Sequence, residues 1–229
     1  MDKLDFRYDV KKDLQNYENN YLDHKYPNYG RKDLDTAPFL WPSLKRKIDQ
    51  AADDDKKVII KDYLNNFAKN ELPITIEIEG LRKYWSSLEA EYFKRLCDYM
   101  KIPNDVDKMT VYFTTLSMSP YSVVNRHFYV SFFSNLPSQI KTIMHETMHI
   151  IFRSNYENDL TERGADKQAI LEITEALAIL LNYEFRNLLL VPEKNNKPST
   201  KDLQDKVVDL WKQKVNFLTM LDELIKMRT

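Results

Sequence analysis

A short motif that could bind a metal ion stands beyond the middle of the chain, where His145, Glu146 and His149 occur in the order His-Glu-Thr-Met-His. Residues four apart on an α-helix lie one turn above each other on the same face, so two imidazoles at this spacing can bind one tetrahedral metal ion. Glu146 lies about 100° around the helix from His145. Its carboxylate can therefore reach a metal-bound water and act as a base.

The residues around this motif are largely apolar and favour a bound cation. Two histidines on one helix face could instead be ordinary packing residues. Burying two imidazoles and a carboxylate among apolar side chains costs free energy unless a partner cation is present. The sequence therefore favours metal binding over a fortuitous motif. The apolar neighbours are Ile143, Met144, Met148, Ile150, Ile151 and Phe152.

A third metal ligand has to come from another segment, because a catalytic zinc ion usually takes three protein ligands and leaves one position to water. The other two histidines are His24, in a predicted N-terminal helix, and His127, on a predicted strand. Glu172 and Glu175 are better candidates, since they are the only charged residues between 169 and 182 and stand one helical turn apart. Either could be the ligand while the other accepts a hydrogen bond from a ligand imidazole, or both could be structural.

Together these residues resemble the gluzincins, zinc metallopeptidases of the zincin superfamily with HExxH on one helix and a glutamate ligand on the following helix. Thermolysin-like and aminopeptidase-N-like enzymes belong to this class. His145, Glu146 and His149 match the helix motif, and Glu175 in Thr-Glu-Ala-Leu-Ala is similar to the glutamate segment of the aminopeptidases. The resemblance covers roughly residues 110 to 185. It implies Zn²⁺ as the cofactor and Glu146 as the general base to a zinc-bound water.

The position of the third ligand departs from the gluzincin pattern. Those families place the glutamate at positions that hold Gln168 and Ala169 here, and both Glu172 and Glu175 come later. A longer loop before the second helix could absorb the difference. The resemblance favours Glu175 as the ligand and leaves Glu172 as the alternative ligand. If Glu175 is the ligand, we expect Glu172 to lie within hydrogen-bonding reach of a ligand imidazole or of a nearby base, because an unpaired carboxylate in this apolar segment would be destabilising.

The resemblance also implies a second donor to the oxyanion that forms during hydrolysis, and an extended substrate paired with a strand. Tyr183, two turns beyond Glu175, is the candidate for that donor, with Tyr156 as another. Arg126 and His127 begin the segment, residues 126 to 133, that is expected to hold the substrate. Residues of these types are more often ordinary packing or surface residues, and that interpretation is preferred for each of them from the sequence.

Length and composition exclude several classes of function. A chain of 229 residues fits one domain, and 34 basic against 35 acidic side chains leave a formal charge of −1. That balance argues against nucleic acid or an anionic membrane surface as the main partner. We expect no secretory signal, because the first residues contain no apolar run, and no membrane span, because no apolar stretch reaches about 18 residues. The single cysteine, Cys97, cannot form an internal disulfide, which indicates either a reducing compartment or no dependence on redox context; we expect a cytoplasmic location.

Helices should dominate, since the chain has only three glycines for tight turns. After Pro73, the alternation of Ile74, Ile76 and Ile78 with polar residues predicts a half-buried strand. Two more strands are predicted at residues 111 to 116 and 127 to 133, which are rich in β-branched and aromatic residues. Helices are predicted at residues 6 to 21, 42 to 52, 58 to 67, 81 to 100, 137 to 152, 161 to 190 and 200 to 226, and residues 192 to 198 are predicted to be an exposed connection.

These elements predict an α+β protein with a zincin-like core, in which a small mixed sheet, the HExxH helix and the following glutamate helix are joined by additional N-terminal and C-terminal helices. We expect a single domain over residues 1 to 229, with a helical N-terminal part at 1 to 70 and the catalytic core at 71 to 229. The expected function is that of a zinc-dependent metallopeptidase with a peptide or protein substrate. The alternatives are a non-catalytic metal-binding or protein-interaction protein that retains the HExxH helix, and a helical scaffold in which the motif is accidental.

Overall fold

The computed structural model describes residues 2–22, 42–193 and 198–228. Within them, α-helices and a four-stranded mixed sheet form an α+β fold, which confirms the predicted class. The strands are β1 (Leu4–Tyr8), β2 (Met109–Thr114), β3 (Tyr121–Ser122) and β4 (His127–Ser131). The α-helices are α1 (Val10–Tyr17), α2 (Pro42–Gln50), α3 (Asp53–Phe67), α4 (Glu71–Ser86), α5 (Glu89–Met100), α6 (Leu136–Glu162), α7 (Lys167–Leu177), α8 (Lys201–Lys212) and α9 (Phe217–Lys226). None of the helices in these ranges combines the length and the apolar character that a membrane crossing requires.

The sheet has the strand order β1-β2-β4-β3. β1, β2 and β4 run parallel, and β3 pairs antiparallel with β4 at the edge. β3 and β4 form a hairpin, and Arg126 is the last residue of the turn that joins them. The backbone of Arg126 takes the left-handed conformation, with φ 47°, and its N–H donates a hydrogen bond to Val123 O. Because β3 is an edge strand, β4 lies inside the sheet with partners on both sides.

The two faces of the sheet are covered by different helices. Val111 of β2 and Phe128 and Val130 of β4 point into the main apolar core, which also contains the buried side chains of α4, α5 and α6. On the opposite face α1 crosses the sheet, where Tyr129 of β4 donates its hydroxyl hydrogen to the backbone oxygen of Lys12. The sheet therefore forms a layer between α6 and α1.

The first predicted helix begins later than expected, because Phe6 lies in a strand. In β1 the buried residues Leu4 and Phe6 alternate with the more exposed residues Asp5 and Arg7. This two-residue period is that of a β-strand. The helix starts only at Val10, after Asp9, whose side chain accepts the N–H groups of two residues in the first turn. The N-terminal part, in which only helices were predicted, thus also supplies the strand that pairs with β2.

The strand predicted after Pro73 is wrong, because this segment is the helix α4. Ile74 and Ile78 are buried and Ile76 is 63% exposed, so the isoleucines four apart share the buried face of a helix. Alternating isoleucines fit this pattern as well as a strand does. Pro73 is accommodated because it stands in the first turn, where the N–H that proline lacks has no helical partner.

Several helices differ in extent from the prediction. The helix predicted for residues 81 to 100 is divided between α4, which ends at Ser86, and α5, which begins at Glu89, and α3 begins at Asp53 rather than at residue 58. α6 continues ten residues beyond the predicted end at residue 152 and ends at Glu162. The helix predicted for residues 161 to 190 is α7, which ends at Leu177 and is followed by 3-10 turns at Ala178–Asn182 and Arg186–Leu188. The helix predicted for residues 200 to 226 is divided into α8 and α9 by a turn with Lys214 in the left-handed region.

Two buried carboxylates fix the beginning of the chain to distant segments. Asp13 of α1 accepts the Thr115 N–H at 3.0 Å and the hydroxyl hydrogens of Thr114 and Thr115 at 2.5 and 3.0 Å. Burial raises the pKa of Asp13 to about 6, although these hydrogen bonds act in the opposite direction.

The second buried carboxylate is Glu89 of α5. It accepts the N–H groups of Lys3 and Leu4, at 3.0 and 3.1 Å, and the indole N–H of Trp85 in α4. These contacts hold β1 and α1 in the layers of the fold.

We expect Asp13→Ala to lower the free energy of unfolding by about 3 kcal/mol, because it leaves a buried N–H and two buried hydroxyls without their acceptor. The matched control is Asp49→Ala, which removes an exposed ion pair with Lys45 and should cost less than about 1 kcal/mol. Urea unfolding followed by circular dichroism measures both changes. Equal losses of stability in the two variants would contradict the role given to Asp13.

Candidate metal site

The two histidines of the motif are placed by α6, a helix of 27 residues that is buried along much of its length. Asn135 caps its first turn by accepting the Ser138 N–H at 3.0 Å, and Pro137 stands in that turn. The helix ends near Gly164, whose φ of 92° is a conformation that favours glycine. Asp166 then caps α7 by accepting the Ala169 N–H at 2.8 Å. This short connection brings α7 back along α6.

His145, His149 and Glu175 lie together and form a possible metal-binding group, the one found among the described residues. His145 Nε2 is 4.0 Å from Glu175 Oε2, and His149 Nε2 is 3.8 Å from Glu175 Oε1. In a tetrahedral zinc site with bonds of about 2.1 Å, ligand atoms stand about 3.4 Å apart. One ligand atom from each of the three residues lies within 4.8 Å of the others, so a small movement of the side chains would close them around one ion.

The surroundings of the group are buried and rich in negative charge. His149 is 1% exposed, Glu175 5% and Glu146 8%. Burial lowers the pKa of His145, but the hydrogen bond to Glu193 and the charges of Glu146 and Glu175 outweigh burial and raise it overall. The same carboxylates would favour a bound cation.

Glu193 contacts His145 of the metal-binding group, although the sequence predicted no site residue in its segment. The prediction of an exposed connection at residues 192 to 198 is wrong at this position, because Glu193 is buried. Its Oε2 lies 3.3 Å from His145 Nδ1 and 3.6 Å from Lys141 Nζ. Burial acts to raise the pKa of Glu193, but the contacts with His145 and Lys141 lower it overall.

Glu172 pairs with a nearby base, which is one of the two roles expected for the glutamate that is not a ligand, and it has no described contact with a ligand imidazole. Its carboxylate pairs with Arg228 Nε at 2.5 Å and accepts a hydrogen bond from Gln168 Nε2 at 2.8 Å. Arg228 also pairs with Asp202 of α8. Glu172 therefore ties α7 to the C-terminal helices, and Glu193 occupies the place beside His145.

Tyr183 has no described contact with the imidazoles. After Leu177 the α-helix gives way to 3-10 turns, which changes the direction of the following side chains. The Tyr183 ring packs on Trp211 of α8 with ring centroids 5.2 Å apart. Tyr156 donates its hydroxyl hydrogen to Met100 O and serves packing.

Arg126 lies in the turn before β4, and His127 lies on the face of the sheet that α1 covers. Arg126 donates a hydrogen bond to Asp107 O, at 3.2 Å, and the His127 ring packs against Tyr112 and Tyr129. Burial and the Lys12 charge lower the pKa of His127. The prediction that residues 126 to 133 pair with a substrate is not supported, because β4 has a strand on each side. His24 lies outside the described residues.

Tyr121 is a second residue of the site that the sequence did not mark. It lies on the edge strand β3, with its ring centroid 5.2 Å from that of His149. Arg153 of α6 donates a hydrogen bond to the Tyr121 hydroxyl at 3.2 Å. Burial, together with the charges of Glu146 and Glu175, raises the pKa of Tyr121 to about 12. No spacing rule separates this tyrosine from the thirteen others in the chain.

The chain matches no protein-family model, no curated protein and no solved structure. The resemblance to gluzincins therefore rests on the residues of this chain alone. One structural observation supports this resemblance, namely that the folded chain brings together His145, His149 and Glu175.

We expect Glu175→Gln to weaken zinc binding by more than about a hundredfold, because it removes the charged member of the ligand group. Glu172→Gln, one helical turn away, should leave zinc affinity within about threefold of the wild type, since Glu172 contacts Arg228 instead. Competition with a chromophoric chelator measures both affinities. A loss of affinity in the Glu172 variant alone would reverse the two assignments.

Proposed function

We propose that the protein is a zinc-dependent metallopeptidase of the gluzincin type. The observation that carries this proposal is the convergence of two imidazoles from α6 and one carboxylate from α7, in the residues His145, His149 and Glu175. Glu146 is adjacent to His145 on the same buried helix. Two histidines, a glutamate and a neighbouring carboxylate base form the set of groups that zinc-dependent peptide hydrolysis requires.

Zinc fits this set of donors better than the harder divalent cations do. Two imidazole nitrogens and one carboxylate oxygen are a donor set of catalytic zinc sites, whereas Mg²⁺ and Ca²⁺ prefer oxygen ligands alone. The carboxylates of Glu146, Glu175 and Glu193 are all buried near His145, which adds an electrostatic reason for a cation. When bound, zinc lowers the pKa of a coordinated water and polarises a substrate carbonyl group.

Glu146 would act as the general base and acid. Its carboxylate lies close enough to His145 for its charge to raise the pKa of that imidazole. From this position it can take a proton from the attacking water and then deliver the proton to the leaving amine. A buried carboxylate suits this role, because a dry environment strengthens its interaction with the proton that it transfers.

Tyr121 is better placed than Tyr183 to donate a hydrogen bond to the oxyanion. The Arg153 side chain has no acceptor, so its contact with Tyr121 occupies a lone pair of the hydroxyl oxygen. The hydroxyl hydrogen is then directed away from Arg153. With its ring beside His149, Tyr121 can stabilise negative charge that develops on a substrate oxygen.

The outer edge of β3 is the site that we propose for an extended peptide or protein substrate. In the part of the chain that the structure describes, β3 pairs with β4 through one edge, and Tyr121 and Ser122 present the other edge. An added strand would form backbone hydrogen bonds there and pass beside the imidazoles. The absence of nucleic-acid and membrane partners and the cytoplasmic location stay predictions from composition.

A non-catalytic metal-binding or protein-interaction protein is the second candidate function. It is favoured by the small exposed fractions of His149 and Glu146, 1% and 8%, which limit access to the group. Such a protein would bind zinc as tightly as an enzyme would but would not cleave peptides. Hydrolysis therefore separates the two functions, and metal content does not.

We expect Glu146→Gln to keep its zinc while any peptide hydrolysis falls by about a hundredfold or more, because the amide cannot accept the proton. Glu162→Gln, at the exposed end of the same helix, is the matched control and should retain wild-type activity. Zinc content by mass spectrometry and cleavage of a fluorogenic peptide library give the two readouts. Wild-type protein that binds zinc and cleaves nothing would favour the non-catalytic function, and full activity in Glu146→Gln would remove the base from its role.

A further inference from the structure

We propose that Glu193 is a positioning residue that holds His145 in the orientation needed for metal binding and ties together the two helices that supply the ligands. This inference rests on the metal site of the proposed function and is independent of peptide cleavage. Nothing in the HExxH motif points to Glu193, which lies 48 residues after His145.

The two nitrogens of the His145 ring face different carboxylates. Nδ1 lies 3.3 Å from Glu193 Oε2, whereas Nε2 lies 4.0 Å from Glu175 Oε2. A carboxylate can only accept, so Glu193 favours a proton on Nδ1. In the neutral imidazole this leaves the lone pair of Nε2 directed to the side of Glu175, where the metal would bind.

The backbone of Glu193 is itself held by a two-point contact with Asn182. The Glu193 N–H donates to Asn182 Oδ1 at 2.7 Å, and Asn182 Nδ2 donates to Glu193 O at 2.9 Å. Asn182 ends the 3-10 turn that continues α7, the helix of Glu175. The Glu193 main chain is therefore fixed to the α7 segment, while its side chain contacts α6.

Lys141 completes the arrangement from α6. Lys141 stands one helical turn before His145. Its ammonium group lies 3.6 Å from Glu193 Oε2. The Glu193 side chain is 6% exposed, so its charge needs partners within the protein. His145 and Lys141 supply them, and both belong to α6. Glu193 thus links the helix of the two imidazoles to the helix of the carboxylate ligand.

The test compares the zinc affinity of Glu193→Ala, Glu193→Gln and a matched control, Glu184→Ala. Glu184 lies in the same segment and accepts the Trp211 indole N–H at 3.2 Å, without a described contact to the ligands. Zinc affinity is measured by chelator competition, the spectrum of bound Co²⁺ reports the geometry at the metal, and urea unfolding of the metal-free protein reports stability.

We expect Glu193→Ala to weaken zinc binding by about 10-fold to 100-fold and to change the Co²⁺ spectrum. Glu193→Gln keeps an acceptor for the Nδ1 proton, so it should recover part of this affinity. Glu184→Ala should lower the stability of the metal-free protein while leaving the zinc affinity and the Co²⁺ spectrum unchanged. If Glu193→Ala does not fold, the glutamine variant still has to show a weaker affinity than the wild type.

Two results would overturn the inference in different ways. Wild-type zinc affinity and an unchanged Co²⁺ spectrum in both Glu193 variants would overturn the positioning role alone and leave the metal site in place. A wild-type protein that binds no zinc would overturn the metal site, and the role of Glu193 with it. Loss of affinity in Glu184→Ala equal to that in Glu193→Ala would show that both residues act only through stability.

Discussion

The structure depends on burying α6, a helix that carries two imidazoles and a carboxylate among apolar side chains. Strand β4 and helices α4, α5 and α7 all pack against this helix. Its polar groups are met by specific partners, since Tyr92 donates to the backbone oxygen of Met144 at 2.5 Å and Thr147 donates to Ile143 O at 2.6 Å. Burial of this kind is tolerated only where polar groups are paired. The positions of Glu175 and Glu193 follow from the same requirement.

The sheet has a similar requirement, because the backbone N–H groups at the ends of its strands also need hydrogen-bond partners. Strand β1 comes from the beginning of the chain and pairs with β2, although about a hundred residues separate them along the sequence. Buried carboxylates at Asp13 and Glu89 collect backbone N–H groups at the ends of these strands. Each one replaces the water that the strand ends would otherwise need. These hydrogen bonds fix the beginning of β1 and the end of β2, and so stabilise the register of the two strands.

The sequence predicts what depends on local spacing and fails where tertiary contacts decide. The HExxH helix is set by residues four apart, and Glu175 stands out as a charge in an apolar stretch. The isoleucines of α4 satisfy the period of a strand and the four-residue repeat of a helix together, so only packing distinguishes them. Tyr121 and Glu193 reach the site through a hairpin and a loop. Their positions follow from strand pairing and from the contact with Asn182, which leave no pattern in the sequence.

Charge links the metal-binding group to the stability of its surroundings. Glu146, Glu175 and Glu193 are buried around two imidazoles, and Lys141 contacts one of these carboxylates. Without a metal ion, a proton on His145 lowers the repulsion among them, as the raised pKa of His145 indicates. A divalent cation would supply two positive charges at the same place and would displace that proton. Because the possible metal ligands come from α6 and α7, the free energy of metal binding would also hold these helices together, and folding and metal binding would be coupled.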